Sequence, residues 1–295
     1  MSSAYSAFIV VLALVLASAA YIWFRMRTLI SLVRNKAVGE DRDYLWDLLY
    51  GFNWTGTTTN NYGYAPAESD GPERFQLQMY SELLKLYGSK AGATKNIDLL
   101  EVSCGQGGGI AHLVRNWPSQ IAAIGLDKSE NAISTCKRTH AKVPSLSFVK
   151  GDALALPFPG GSFDVVVNVE AANDYSDIAR FCSEVHRVLR PNGVFLFANT
   201  CKAGRIDKTK ETFLKAGFTA EFFDIAPNVV KACVEDSSRR RSLINSRVPW
   251  FYLWMFKEVF ENYAAIEGSR MLEKMKSGRV AYLMTGATRR EVTSG

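Results

Sequence analysis

The chain has 295 residues, 47% of them apolar, with a formal net charge of +6 and five cysteines. That length accommodates one large domain or two small ones, and the apolar content supplies a sizeable core. The charge is modest, no DNA or RNA motif is present and basic residues are not interleaved with aromatics, which argues against a nucleic-acid partner; the odd cysteine count without metal or disulfide spacing argues against a bound metal and fits reduced thiols.

No charged side chain occurs from Met1 to Phe24, and Ala7 to Phe24 is almost continuously apolar. As a helix those residues would reach ~27 Å, enough to cross a bilayer core. Tyr21 and Trp23 suit a membrane interface, and Arg25, Arg27, Arg34 and Lys36 follow at once. Residues 1–24 are therefore expected to be a single-pass transmembrane anchor, with the rest of the chain in the cytosol (at the endoplasmic reticulum in a eukaryote). Ala17-Ser-Ala19 offers a competing signal-peptide cleavage site, but a positive n-region is missing and the charges lie on the wrong side. A surface-lying helix is the third reading.

Residues 25–94 read as a helical and loop cap. The pattern is helical over 25–50, turn-rich from Gly51 to Asp70, and helical again over 72–88. The main domain runs from 95 to 290. Leu99 to Gly109 reads as a buried strand ending in Glu101, a glycine-rich turn and a helix start. Further apolar runs end at Asp127, at Gly151-Asp152 and at Val169, and a fifth follows Leu189-Arg-Pro-Asn-Gly193. Helices are predicted near 109–116, 129–140, 175–190 and 206–216, a sixth strand over Phe218–Ile225 and a final one over Arg279–Thr288. Between those last strands lies an insert, 226–278, which contains Arg239-Arg-Arg241 and the run Trp250-Phe-Tyr-Leu-Trp-Met-Phe256. A helix that is apolar nearly all round must be buried, cover a ligand or touch lipid. Some of its aromatics are expected to cover the ligand pocket.

The glycine turn carries the chemistry. An acid four residues before Gly105 suits a ligand bearing an amino group and hydroxyls, whereas a pyrophosphate would be repelled by Glu101. The turn thus points to S-adenosylmethionine (SAM) rather than NAD. Glu101, Ser103, Gly105 and Gly107 should line its methionine end. Asp127, 22 residues beyond Gly105, stands where a βαβ unit grips a ribose, with Lys128 beside it. Asp152 should meet the adenine amino group, with the Ala153 N–H donating. Asn168 should face the sulfonium side.

Glu101 to Gly109, Asp127, Gly151-Asp152 and Leu189 to Gly193 resemble the class I SAM-dependent methyltransferases. Glu101-Val-Ser-Cys-Gly-Gln-Gly-Gly-Gly109 and Phe163-Asp-Val-Val-Val-Asn-Val-Glu-Ala171 are similar to the mycobacterial phthiotriol/phenolphthiotriol dimycocerosate O-methyltransferases, which modify lipids. Asn53-Trp54, Tyr62-Gly-Tyr64 and Glu267-Gly268 through Tyr282 extend the resemblance over roughly residues 45 to 288. Ser103 replaces that family's first motif glycine, and Asn173 replaces a His. The resemblance implies an α/β, Rossmann-like, seven-stranded SAM-dependent methyltransferase fold, here with an N-terminal transmembrane helix, and SAM as cofactor.

Methyl transfer from a sulfonium is an in-line displacement that needs alignment. A neutral hydroxyl also needs a proton acceptor. With no His after the fourth strand, Asp174 and Glu170 are the candidate catalytic carboxylates, with Tyr175 beside them. The expected activity is O-methylation of a lipophilic small molecule: a lipid, polyketide or terpenoid hydroxyl. Sterol-type C-methylation and a non-catalytic SAM-binding protein stand as alternatives. The sequence specifies no oligomeric state.

Overall fold

A strand buried on both faces of a parallel sheet reads as a continuous apolar run. The central strands meet that condition in β1 (Asn96–Val102), β4 (Phe163–Val169) and β5 (Leu189–Lys202). In the computed structural model, residues 57–88, 96–117 and 120–290 are described, together with positions 9, 14, 46, 47 and 50. The chain divides into two compact units, Met1–Trp46 and Asp47–Gly295. In the first, Ile9 and Leu14 are helical and exposed. The transmembrane helix expected over 1–24, and nearly all of the helix expected over 25–50, lie outside the described residues. Among the described residues no helix is long and apolar enough to cross a membrane.

The second unit is an α/β sandwich. The helix α1 (Arg74–Gly88) precedes β1. There follow α2 (Gly108–Asn116), β2 (Gln120–Asp127), α3 (Glu130–Thr139), β3 (Leu146–Lys150), β4, α4 (Ile178–Val188), β5 and α5 (Ile206–Lys215). The sheet order is β3-β2-β1-β4-β5-β8-β6, with β7 pairing β8. The first five strands are parallel; β8 (Val280–Arg289) runs antiparallel to β5. Alternate residues feed two cores, with Leu99, Val165 and Leu196 on one face and Leu100, Val166 and Phe195 on the other. The first face packs α1 to α3, the second α4 and α5.

Two expectations are corrected. The sheet has eight strands rather than seven, because the predicted strand over 218–225 splits into β6 (Phe218–Thr219) and β7 (Phe223–Asp224). The chain leaves the ladder between them so that Phe222 can pack edge-on against Phe213, 5.1 Å away. The helix predicted over 175–190 begins later, at Ile178, where the Asp177 carboxylate caps it by accepting the Arg180 N–H at 2.9 Å. Residues before it form a 3₁₀ turn over Ala172–Asp174. The insert folds as four helices: α6 (Ala226–Glu235), α7 (Ser237–Arg247), α8 (Trp250–Tyr263) and α9 (Arg270–Lys276).

Candidate active site

The strand order reverses between β1 and β4, and ligands of open α/β sheets bind outside the carboxyl ends of the strands at such a point. Glu101, Asp127, Asp152 and Glu170 all lie at those ends. After β1 the backbone turns sharply, with Ser103 at φ 59, Gly105 at φ 54 and Gly107 at φ 80. Ser103 thus holds the left-handed conformation that its glycine counterpart adopts freely, at about 1 kcal/mol or more. Its Oγ lies 2.7 Å from the Tyr175 hydroxyl, which offsets part of that strain. Two glycines admit neighbours a side chain would exclude. A Cβ at Gly105 would lie 2.9 Å from the Tyr50 hydroxyl, and one at Gly109 would fall 1.9 Å from the Tyr80 ring.

Close approach at Gly109 brings Tyr80 to Glu101. The buried Tyr80 hydroxyl donates to Glu101 Oε1 at 2.8 Å. Glu101 Oε2 is equally buried and has no hydrogen-bond partner among the described residues. Loss of hydration pushes this carboxyl up to about 8, although the Tyr80 hydroxyl and the Ile110 amide pull it down. A buried carboxylate oxygen left unpaired is unfavourable, and a cationic amino group is its natural partner.

Asp127 is buried at the end of β2. Its Oδ2 accepts the Gly105 N–H and its Oδ1 the Ser129 N–H, each at 2.9 Å. Burial nevertheless raises its carboxyl to about 6. Asp47 stands close by, accepting from Ser129 Oγ at 2.5 Å and from the Asn131 side chain at 2.9 Å. Asp152 is half exposed; its Oδ1 accepts the Leu154 N–H at 2.8 Å and its Oδ2 lies 3.2 Å from Lys128 Nζ. The structure therefore brings Lys128 to Asp152, with Ala153 buried behind.

Asn168 is fully buried. Its Nδ2 donates to the Val102 carbonyl and to the Tyr175 hydroxyl, each at 2.9 Å. With that bond received, the Tyr175 proton is free for Ser103, so Asn168 braces the turn through Tyr175. Its Oδ1 is buried without a partner among the described residues.

Glu170 follows β4 at φ 54. Its Oε1 accepts the Tyr62 N–H at 2.7 Å and the Tyr282 hydroxyl at 2.6 Å. Loss of hydration raises the carboxyl to about 7, against those two donors and the Arg240 charge. Arg240 is buried; it pairs with Asp236 at 2.9 Å and donates to the Tyr62 carbonyl at 2.6 Å. Burial and the Glu101 carboxylate hold the Tyr80 phenol high, and Glu170 adds to that effect. The two acids therefore flank one tyrosine. Asp174 sits in the 3₁₀ turn, half-buried, with its N–H donating to Ala171 O at 3.0 Å. Asn173 is exposed and donates to Thr200 Oγ1 at 2.7 Å and Asn199 Oδ1 at 3.1 Å, on β5.

The aromatic insert behaves differently from expectation. Trp250 and Trp254 are 79% and 82% exposed, so they do not cover the pocket. A non-helical residue at Phe256 kinks α8 and redirects its second half. Only at its end does Tyr263 reach inward, its hydroxyl bonding Asn60 Oδ1 at 2.9 Å. Sequence reasoning missed Asp47, Tyr50 and Tyr80, which no motif marks. For Tyr62 and Tyr282 the only signal was their place in the family resemblance.

A family described as a methyltransferase domain matches residues 100–197, from β1 to β5. A phthiotriol/phenolphthiotriol dimycocerosates methyltransferase of Mycobacterium leprae is 30% identical over 220 residues, covering 73% of this chain and 76% of that protein. A fatty-acid O-methyltransferase of Mycolicibacterium smegmatis is 41% identical over 146 residues, 47% of this chain and 51% of that protein. The structure of Haemonchus contortus phosphoethanolamine N-methyltransferase 2 with S-adenosylhomocysteine has a TM-score of 0.65 at 15% identity, covering 87% of this chain and 61% of that one. That last likeness is one of fold. On the relatives' identity and coverage, with the glycine turn and its acids in place, the chain belongs to the class I SAM-dependent methyltransferases, in the branch of the phthiotriol/phenolphthiotriol dimycocerosates methyltransferases.

Proposed function

We propose that this enzyme O-methylates a hydroxyl on a lipophilic small molecule, with Glu170 taking the proton and residues 1–24 tethering the chain to a membrane. The observation that carries the reading is the Glu170 carboxyl, raised to about 7 and fixed by the Tyr62 N–H and the Tyr282 hydroxyl. A general base works best with a pKa near the operating pH. The same charge disfavours an anionic carboxylate acceptor beside it, which separates this reading from fatty-acid methylation. The names of the relatives support a lipid-like acceptor.

The residues present fit SAM. Glu101 Oε2 is a buried acceptor that a cationic amino group would satisfy, the left-handed turn after β1 would let main chain approach the ligand closely, and Asp127 lies at the end of β2, where the ribose hydroxyls are expected. SAM supplies an electrophilic methyl group on a sulfonium. Glu101 would hold its amino group, Asp127 the ribose, and Asp152 with the Ala153 N–H the adenine. Glu170 would orient the acceptor hydroxyl and receive its proton as the oxygen attacks. Tyr62 and Tyr282 keep that carboxylate from rotating, so alignment is preset.

The test incubates the full chain with methyl-labelled SAM and lipid extracts. An ether product keeps its label in alkali, whereas a methyl ester loses it. Glu170→Gln should lower kcat by ~10²–10⁴-fold and leave SAM affinity unchanged, and Asp174→Asn should stay near wild type. An alkali-labile product, or normal kcat in Glu170→Gln, would sink the assignment.

A further inference from the structure

The first half of α8 presents an unusual surface. Trp250 and Trp254 lie one turn apart on the same side, 79% and 82% exposed. Val259, at 41%, continues the apolar exposure past the kink. Contiguous exposed aromatics mark an interaction site rather than ordinary surface. Tryptophan, with a large apolar body and one N–H, is favoured at the headgroup level of a bilayer.

The charges around it are predominantly positive. Ser237 to Trp254 carries four arginines and no acid, and residues 237–263 have a net charge of +3. Arg239 and Arg240 are held by Asp236, and Arg241 lies 3.6 Å from Glu261. Arg247, exposed at the end of α7, stands three residues before Trp250. Lys257 is exposed one turn after Trp254, with its Nζ 3.9 Å from Glu261, and the acid beside it, Glu258, lies 3.3 Å from Arg270, which leaves Arg247 as the cation nearest the tryptophan pair. A tryptophan pair with flanking cations fits an anionic lipid surface.

The other end of the same helix reaches the site. Tyr263 bonds Asn60, and its phenol raises those of Tyr50 and Tyr62. We infer that the Trp250–Trp254 face of α8 docks on an anionic bilayer and draws the lipophilic acceptor from it toward Tyr62 and Glu170. The inference rests on the lipid-hydroxyl reading above for its acceptor, but not for its docking surface.

The purified full chain, carrying Trp23→Phe in every form compared so that the proposed anchor contributes no tryptophan signal, is mixed with phosphatidylcholine vesicles with or without phosphatidylglycerol, the lipids carrying brominated chains. Tryptophan fluorescence should be quenched, more so with phosphatidylglycerol, and Trp250→Phe/Trp254→Phe should lose most of that quenching. Trp250→Ser/Trp254→Ser should bind SAM as wild type does, which reports an intact fold. Its kcat/KM should fall about tenfold or more on acceptor embedded in vesicles and stay unchanged on acceptor dispersed in detergent. Vesicle quenching equal in the wild type and the Phe variant would overturn the inference. So would a doubling of mass with concentration that Trp254→Ser abolishes, since the occupant would then be a second copy. If no acceptor is methylated in either form, the catalytic reading fails while the quenching still decides the docking.

Discussion

Glu101 makes the sharpest prediction, because its burial and its unpaired oxygen fix a proton count. With the carboxyl at about 8, roughly 0.9 of the ligand-free molecules carry a proton there at pH 7. Asp127, at about 6, carries only about 0.1. An α-amino group titrates near 8, so the SAM amine enters mostly as a cation, and a cation requires the carboxylate. Binding at pH 7 should then expel about 0.9 proton from Glu101, at a cost of about 1.4 kcal/mol. SAM affinity should accordingly rise about threefold between pH 7 and 8, the gain in ionised Glu101 being partly offset by loss of the ammonium form of SAM. Glu101→Gln keeps an acceptor for the Tyr80 hydroxyl, so the fold should survive. It should bind SAM about 1.5–3 kcal/mol more weakly, the worth of a charged hydrogen bond. Calorimetry in buffers of different ionisation enthalpy counts the protons. The wild type should release about 0.9 more than Glu101→Gln. Equal release in the two proteins would refute the pairing of Glu101 with the amino group.

Other expectations follow from the same site. Raised carboxyls bind more protons in the folded than in the unfolded state, so the ligand-free protein should lose stability as pH climbs from about 5 to 8. Thermal melts across that window should show the loss, shallower in Glu101→Gln. Tyr282→Phe removes a donor that favours ionised Glu170, so the acid limb of the kcat profile should move above about 7; an unmoved limb would detach Glu170 from the proton transfer. Ser103→Ala keeps the left-handed strain and loses the Tyr175 bond, and should cost about 1 kcal/mol in urea denaturation, whereas Ser103→Gly, which relieves the strain as it loses the bond, should stay near wild type. Finally, Asn53-Trp54-Thr55 is the chain's glycosylation sequon. A cytosolic main domain requires Asn53 to stay unmodified in a eukaryotic host, and a glycosidase-sensitive mass shift lost in Asn53→Gln would reverse that topology.

The two catalytic carboxylate candidates are separated by environment rather than by residue type. Glu170 sits at a left-handed position where the chain leaves β4, and both of its donors come from distant segments. Asp174 lies in a short helical turn beside Tyr175, whose phenol it raises. Tyr62 itself is held by Arg240 from the insert. The insert thus reaches the site through Arg240 and Tyr263, whereas Trp250 and Trp254 are exposed.

The local pattern of the chain determined the sheet and the strand-end positions of the acids proposed to hold the cofactor. Buried parallel strands must be apolar throughout, and a turn as sharp as the one after β1 needs glycines or left-handed residues. Glu101, Asp127 and Asp152 were therefore readable from their places at strand ends. What no local pattern contains is a partner more than a hundred residues away. Tyr62 and Tyr282 meet at Glu170 because β4 and β8 flank β5 in one sheet and the loop after residue 57 folds across their ends. Whether Trp254 faced a pocket or solvent was likewise undecidable from an all-round apolar helix, whose periodicity selects no face. The kink at Phe256 and the packing of α7 against the Tyr62 loop decided it.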